Sequence, residues 1–328
     1  MNKYVKIIGT GSAAPDTVLT NADLEKMVDT NDEWIVERTG IRERRIAPPE
    51  KVGSDYAKDA AIKAMEMAGI TAEDLELIIL ATVCPDAPLP STACILQDKL
   101  GAKNAAVMDI VAACSGFIYG LSMARSQILV GQVKTVLVVG VEILSRHTNW
   151  SDRGTCVLFG DGAGAAILTA SDEPGGLINT YLKADGSLAH LLQIPMGGMR
   201  QPLNAGNIDN PDRYIKMEGP EVFKSAVKAM GEAATKILEI CAVDSKDIAL
   251  MIPHQANTRI IEATAKRIKL PMDRVFVNIY KYGNTSAASI PIAFDEAVRE
   301  GRIKKGDKIV LVAFGAGFTW GSALIEWQ

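Results

Sequence analysis

The chain is poor in the residues that usually announce a function. Aromatics make up only 5% of its 328 residues, while Gly, Ala, Val and Ile are plentiful, a composition that suits close-packed α/β layers better than an aromatic-rich binding module. It has only three histidines, and its five cysteines (Cys84, Cys94, Cys114, Cys156, Cys241) are spread singly, with no CxxC. No metal cluster is visible in that pattern, and none is expected. An odd cysteine count without a secretion signal points to reduced thiols and a cytoplasmic protein. No basic stripe or tail accompanies the net charge of -4, which argues against nucleic acid as a partner. No apolar run reaches the roughly 18 residues that a membrane span needs. What remains is ordinary globular material, 48% apolar and 23% charged, enough for a sizeable core.

Strands and helices alternate along the chain with no long linker, which predicts an α/β fold with buried sheets. Continuous apolar runs mark the expected strands Val5–Ile8, Leu77–Thr82, Val107–Ile110, Thr135–Val139, Ala165–Leu168, Ala249–Ile252, Arg274–Asn278 and Ile309–Ala313. A faint duplication is superimposed on this alternation. The segment from Val107 to Glu142 and the segment from Val275 to Gly315 share one order: strand, short loop, apolar helix, Gly stop, polar turn, strand. Cys114 precedes Gly131 by 17 positions, and Asn284 precedes Gly301 by the same 17. Two similar halves are therefore expected, residues 1–172 and 173–328, packed face to face. The helices from Ser115 to Val130 and from Thr285 to Phe294 carry almost no polar face, so both are expected to be buried at the centre. Their N-termini would then share one cavity.

Three residues stand at strand ends that could face that cavity. Cys114 opens the first buried helix, where free N–H groups and the positive end of the helix dipole lower a thiol's pKa. The same N–H groups can hold an oxyanion on an attached acyl group. His254 follows the strand ALMI in a polar cluster, Pro253-His254-Gln255-Ala256-Asn257. Asn284 stands at the position matching Cys114 in the other half. A thiol, an imidazole and an amide, with no carboxylate, suit stabilisation of a developing enolate rather than activation of water. The competing structural readings are a small core cysteine, a capping histidine and an N-cap asparagine.

The run Gly9-Thr10-Gly11 mimics a dinucleotide fingerprint, but Pro15 follows and no helix opens there, so it is read as a tight turn. Phe159–Gly164 enters a strand. The loop Phe314–Phe318 follows a strand and could bring a backbone N–H to the site. Arg259, Lys266, Arg267 and Lys269 form a basic cluster, with Lys224 and Lys228 in a separate helix; on an acidic protein such a cluster could dock an acidic partner.

The stretches TNADLEKMVDTNDEWIVERTGIRERR, AACSGF, SDRGT, FGDGAGAA, PHQANTRI, YGNTSAAS and GFTWGSAL resemble those of the β-ketoacyl-[acyl-carrier-protein] synthase III family, within the thiolase-like superfamily. The resemblance runs from end to end. It implies a thiolase-like, duplicated five-layer α-β-α-β-α architecture. It implies a decarboxylative Claisen condensation of acetyl-CoA, or another short acyl-CoA, with malonyl-acyl carrier protein, which initiates fatty-acid synthesis. Cys114 would carry the acyl group, His254 and Asn284 would stabilise the enolate, and the N–H groups of Cys114 and Ala316 would form the oxyanion hole. Trp34 and Arg153 would clamp the adenine of CoA, and Thr30, Arg38, Gly154, Phe223, Ala256 and Asn257 would line the pantetheine tunnel. Lys224, Arg259, Lys266 and Arg267 would dock acyl carrier protein. No cofactor is implied beyond acyl-CoA as substrate. Family members are homodimers, and Leu89 would contribute to the partner's acyl pocket. A condensing enzyme of specialised metabolism with another acyl-CoA primer, a papain-like hydrolase and a non-catalytic acyl-binding protein are the competing readings.

Overall fold

The computed structural model describes residues 3–328. Nine strands hydrogen-bond in the order Ile248–Pro253, Lys308–Gly315, Thr319–Glu326, Gly176–Ala184, Tyr4–Ala13, Asp161–Ser171, Thr135–Ile143, Leu77–Ala81, Ala106–Ile110. The row divides at its weakest link, a single pairing of Val5 with Gly176. On one side, Thr135–Ile143 runs parallel to Leu77–Ala81 and antiparallel to Asp161–Ser171, which is antiparallel to Tyr4–Ala13. On the other, Lys308–Gly315 runs parallel to Ile248–Pro253 and antiparallel to Thr319–Glu326, which is antiparallel to Gly176–Ala184. The pairing pattern of these four strands is the same in both sheets, the first adding Ala106–Ile110 parallel to Leu77–Ala81, and the chain leaves the first at Ser171 and enters the second at Gly176.

The layering follows from side-chain alternation, because successive residues of a strand face opposite sides of its sheet. In Thr135–Ile143, Val136 and Val138 join a core with the helix Gly116–Leu129, while Leu137, Val139 and Val141 join another with the helices Gly53–Ala68 and Thr92–Leu100. In Lys308–Gly315, Ile309, Leu311 and Ala313 join that same first core, while Val310, Val312 and Phe314 pack on the helices Gly219–Cys241 and Thr258–Arg267. One core is therefore shared by both sheets. It holds Phe117, Ile118, Leu121, Ala124 and Ile128 from one helix and Ile290, Ala293, Phe294 and Ala297 from Ser289–Arg299. The layers run helix, sheet, two central helices, sheet, helix. This is the expected five-layer α/β architecture, and the two helices without a polar face lie in its middle.

Several local expectations need correction. Residues 274–278 form no strand ladder; a single bridge joins Val275 to Met251, and Val275 follows the short helical turn Met272–Arg274. The strands Gly176–Ala184 and Thr319–Glu326, absent from the expected set, complete the second sheet. Gly9 and Gly11 are no tight turn but lie inside Tyr4–Ala13. A Cβ at Gly9 would sit 2.1 Å from the Ala64 carbonyl, and one at Gly11 2.2 Å from that of Ala60. The two glycines let the Gly53–Ala68 helix lie directly on the strand.

The match of Cys114 to Asn284 also shifts. Each central helix is preceded by one turn of 3-10 helix, Ala113–Ser115 or Ser286–Ala288, opened by a residue with positive φ, Ala113 at 45° and Ser286 at 46°. On that geometry Cys114 corresponds to Ala287, and Asn284 lies one helical turn earlier. Equal distance to the following glycine misleads because the second central helix is shorter, 11 residues against 14.

Gly11→Ala is expected to destabilise the protein by about 1–3 kcal/mol, the usual cost of forcing extra atoms into a packed core. Thermal unfolding checks it, and an unchanged midpoint would contradict the close helix–strand contact.

Candidate active site

Cys114 lies in the tight turn between the strand Ala106–Ile110 and the helix Gly116–Leu129. The end of Lys308–Gly315 presses on this turn, and a Cβ on Gly315 would meet the Cys114 nitrogen at 2.6 Å. Cys114 and Ala316 line one cavity of about 210 Å³ with Val83, Ala113, Leu144, Phe159, Leu192, Gln193, Ile194, Ile215 and Ser286. Its wall is almost wholly apolar, suited to a hydrocarbon chain attached at the sulfur. Thr319 ties the two sides together, its hydroxyl donating to the carbonyl of Ala112 at 2.9 Å and of Ala316 at 3.3 Å.

His254 and Asn284 are not among the residues lining that cavity, but both are fixed to the segment that is. The backbone N–H of Ser286 donates to Asn284 Oδ1 at 2.9 Å. This bond orients the amide and leaves Nδ2 as its donor end. Asn284 is further held by its own N–H, which donates to Leu158 O at 2.8 Å. His254 follows Ile248–Pro253, is buried, and its Nδ1 lies 2.6 Å from Ser289 Oγ. Gln255 locks the turn: its amide nitrogen donates to the carbonyls of Pro253 and Phe276, and its Oε1 accepts from the N–H groups of Asn278 and Ile279. Residues 284–289 thus meet the thiol through Ser286, the amide through Asn284 and the imidazole through Ser289.

The electrostatics differ from the expected activated thiol. Cys114 is half-buried, yet burial of its sulfur pushes its pKa up to about 12; a hydrogen bond with Ser286 opposes that push and the Glu142 charge adds to it. The local helix terminus does not overcome desolvation. Burial also drives His254 down to about 3, so the ring is neutral across the physiological range. Glu142, buried in the strand Thr135–Ile143, is pushed up to about 7 by burial, against hydrogen bonds from Val83 N–H, Cys84, Ser286 and Thr82. Glu142, Ser286, Ser289 and Gln255 were not singled out from sequence. Glu142 carried a signal, a lone acid in the apolar run TVLVVGVEIL; the two serines, among small residues, did not.

The remaining expected residues fall in two groups. Arg38 and Arg153 place their guanidinium carbons 4.6 and 4.2 Å from the Trp34 ring centroid. Asn257 donates from Nδ2 to Arg38 O at 2.7 Å, joining the cap of Thr258–Arg267 to the Trp34 helix, Asp32–Thr39. Thr30 Oγ1 is buried without a hydrogen-bond partner, and Gly154 lies on the surface with its N–H on Asp152 Oδ1 at 2.9 Å. Ala256 and Phe223 are half-buried, and Arg259 lies 5.5 Å above the Phe223 ring. Lys224, Arg259, Lys266 and Arg267 are exposed on two helices packed against each other, Gly219–Cys241 and Thr258–Arg267. Lys224 pairs with Glu221 at 2.8 Å. Leu89, 86% exposed, does not line this chain's own Cys114 cavity.

A five-layer sandwich whose central helix noses bring a thiol, a neutral imidazole and an oriented amide onto one segment is the architecture of a thiolase-like condensing enzyme. Residues 108–186 match the family model 3-oxoacyl-[acyl-carrier-protein] synthase III, and residues 238–327 match the C-terminal model of the same family. The chain is 56% identical over 322 residues to β-ketoacyl-[acyl-carrier-protein] synthase III of Caldanaerobacter subterraneus, covering 98% of this chain and 97% of the relative. It superposes on 3-oxoacyl-[acyl-carrier-protein] synthase III from Aquifex aeolicus with a TM-score of 0.92 at 50% identity, covering 99% and 100% of the two chains. The Thermus thermophilus enzyme gives 0.92 at 42% identity, covering 98% and 99%. The chain belongs to the β-ketoacyl-[acyl-carrier-protein] synthase III family.

The depressed His254 pKa has a signed consequence. Below about 6.5 the unfolded chain's His254 binds a proton that the folded chain refuses until about 3, so this residue's contribution to stability falls as pH drops through that window. The His254 ring resonance is expected to stay at its neutral position from pH 8 to pH 5 in a proton NMR titration. Protonation of His254 near pH 6.5 would contradict its buried, uncharged setting.

Proposed function

We propose that the chain initiates fatty-acid synthesis by condensing acetyl-CoA, or another short acyl-CoA, with malonyl-acyl carrier protein, through an acyl-thioester on Cys114. The observation that carries this reading is that the segment Asn284–Ser289 touches the thiol while orienting both the amide and the imidazole. In the first half-reaction Cys114 Sγ attacks the thioester carbonyl. The carbonyl oxygen becomes an oxyanion held by the N–H groups of Cys114 and Ala316. The bond to CoA sulfur breaks and CoA departs, taking up a proton as it becomes a thiol.

In the second half-reaction the malonyl carboxylate leaves as carbon dioxide, and its bonding electron pair becomes an enolate. Asn284 Nδ2 and the Nε2–H of His254 donate to the enolate oxygen. With Ser289 donating to Nδ1, the ring proton sits on Nε2, and a neutral ring is the form that keeps this role constant with pH. The enolate carbon then attacks the acyl-Cys carbonyl, Cys114 leaves as thiolate, and the β-ketoacyl carrier protein departs. No cofactor enters this reading, because cleavage of the acyl thioester and loss of carbon dioxide together drive the condensation.

The other parts of the reading are assigned on chemistry. The Trp34 ring with Arg153 suits a stacked adenine, and Thr30, Arg38, Gly154, Phe223, Ala256 and Asn257 suit the pantetheine arm of CoA. The exposed cations Lys224, Arg259, Lys266 and Arg267 suit an acidic carrier protein in a transient complex. Residues 1–172 and 173–328 are read as two copies of one ancestral unit. The working form is read as a cytoplasmic homodimer, with the exposed Leu89 reaching the partner's acyl cavity. Among the described residues no helix is long and apolar enough to cross a membrane. A condensing enzyme with a longer or branched primer is the second reading, favoured by the apolar cavity wall of Val83, Leu144, Phe159, Leu192, Ile194 and Ile215.

Cys114→Ser is expected to abolish acyl-enzyme formation and condensation, read by mass spectrometry and product assay; condensation near the wild-type rate would overturn the assignment. His254→Ala and Asn284→Ala should lose malonyl decarboxylation by about 10²–10³-fold, the loss typical of removing one oxyanion donor, while Cys114 still acylates. Equal loss of both half-reactions would refute their separate role. Lys266→Glu should raise KM for malonyl-acyl carrier protein while acylation by acyl-CoA stays at the wild-type rate, and a change in both alike would remove the docking surface.

A further inference from the structure

The first half-reaction leaves a question that the three assigned side chains do not answer. The Cys114 proton must go somewhere while sulfur attacks. His254 is a poor acceptor, since its ring is buried and weakly basic and its Nδ1 is occupied by Ser289. A different group is wired to the thiol. Ser286 lines the same cavity as Cys114 and its hydroxyl acts on the thiol, lowering its pKa, while Ser286 Oγ donates to Glu142 Oε1 at 3.0 Å. The other carboxylate oxygen accepts from Val83 N–H at 3.0 Å and Thr82 Oγ1 at 3.2 Å. Glu142 is fully buried.

Ser286 itself is held in the left-handed region at φ 46°, a strained conformation for a non-glycine residue. Its N–H is committed to Asn284 and its hydroxyl to Glu142. The turn therefore spends strain to set one hydroxyl between a carboxylate and a thiol.

We propose that Ser286 and Glu142 form a proton path that takes the thiol proton of Cys114 during acylation and returns it when the product leaves. The proposal rests on the reading of Cys114 as acyl carrier. As Sγ bonds to the acyl carbon, its proton passes to Ser286 Oγ and the serine proton passes to Glu142 Oε1. The products are acyl-Cys114, neutral Glu142 and CoA thiolate, which takes its proton from solvent. When the β-ketoacyl group departs, Cys114 leaves as thiolate. Ser286 then protonates it and takes back the proton from Glu142. The thiol and the carboxylate are restored, and the one proton consumed per cycle is the one on CoA. A carboxyl poised at about 7 can hold either state at neutral pH. The other groups facing it are the thiols of Cys84 and Cys114 and the hydroxyls of Thr82 and Ser286, with Asp161 beyond Cys84.

The test uses the full-length enzyme with acetyl-CoA. Rapid-quench mass spectrometry measures acylation of Cys114 across pH, and iodoacetamide measures the thiolate fraction of the same residue. Failure of the wild-type enzyme to acylate Cys114 would sink the condensing-enzyme reading itself, before the relay is reached. With wild-type acylation in hand, Glu142→Gln should slow it by about 10²-fold or more, within the range of general acid–base contributions, and flatten its rise with pH through neutrality. Alkylation should be unchanged or faster, because the Glu142 charge raises the thiol's pKa. Ser286→Ala, which leaves the carboxylate in place, should slow acylation as well and serves if the glutamine variant folds poorly. Acylation and alkylation rising together in Glu142→Gln would make Glu142 a mere opposing charge, and both falling together would make it a packing residue. Either result overturns the relay, as does wild-type acylation in Ser286→Ala. Infrared difference spectra add a readout apart from rate: a protonated carboxyl band should appear on acylation of the wild type and be missing in Glu142→Gln.

Discussion

Everything at this site depends on burying two helix noses against each other in the middle layer. A helix terminus exposes N–H groups that must find partners, and burying one is costly unless it is turned tightly and capped. Here each central helix begins with a strained 3-10 turn, and the two turns pack together. The same burial supplies an apolar cavity beside the thiol, strengthens every donor within it and keeps the imidazole neutral.

That constraint also explains why the functional groups are so sparsely charged. Desolvation is the largest influence on Cys114, His254 and Glu142, and in each it favours the neutral form. A site built this way gains its electrostatic effect only when charge develops on an oxygen during reaction. It contrasts with a hydrolase, where a charged imidazolium–thiolate pair persists at rest. The arginines around Trp34 and the cations of the two outer helices lie on the surface instead.

Much of this was legible in the sequence. The apolar runs marked most of the strands, the polarity-free helices marked the middle layer, and the motifs around Cys114, His254 and Asn284 marked the strand ends that converge. Where reading failed, a tertiary contact had overridden a local signal. Gly9 and Gly11 look like a turn, but a helix lying on the strand requires them. Residues 274–278 have strand composition, yet only Val275 finds a bridge. The Cys114–Asn284 correspondence rested on counting back from a glycine, and a shorter helix broke the count. Ser286 and Ser289 were invisible because their importance lies in which atom of another strand or helix each hydroxyl reaches. The expected acidic thiol failed because a dipole argument from helix position takes no account of how deeply the sulfur is buried.

The account's central claim is that an acyl group is carried on the thiol beside the apolar cavity while the amide and imidazole stand ready for a second substrate. An experimental structure of the enzyme trapped with an acyl-CoA primer tests it directly. The account predicts a covalent bond from Cys114 Sγ to the acyl carbon, the carbonyl oxygen on the N–H groups of Cys114 and Ala316, and the hydrocarbon between Val83, Leu144, Phe159 and Ile215. An unmodified Cys114 with the acyl group bound intact elsewhere would contradict it.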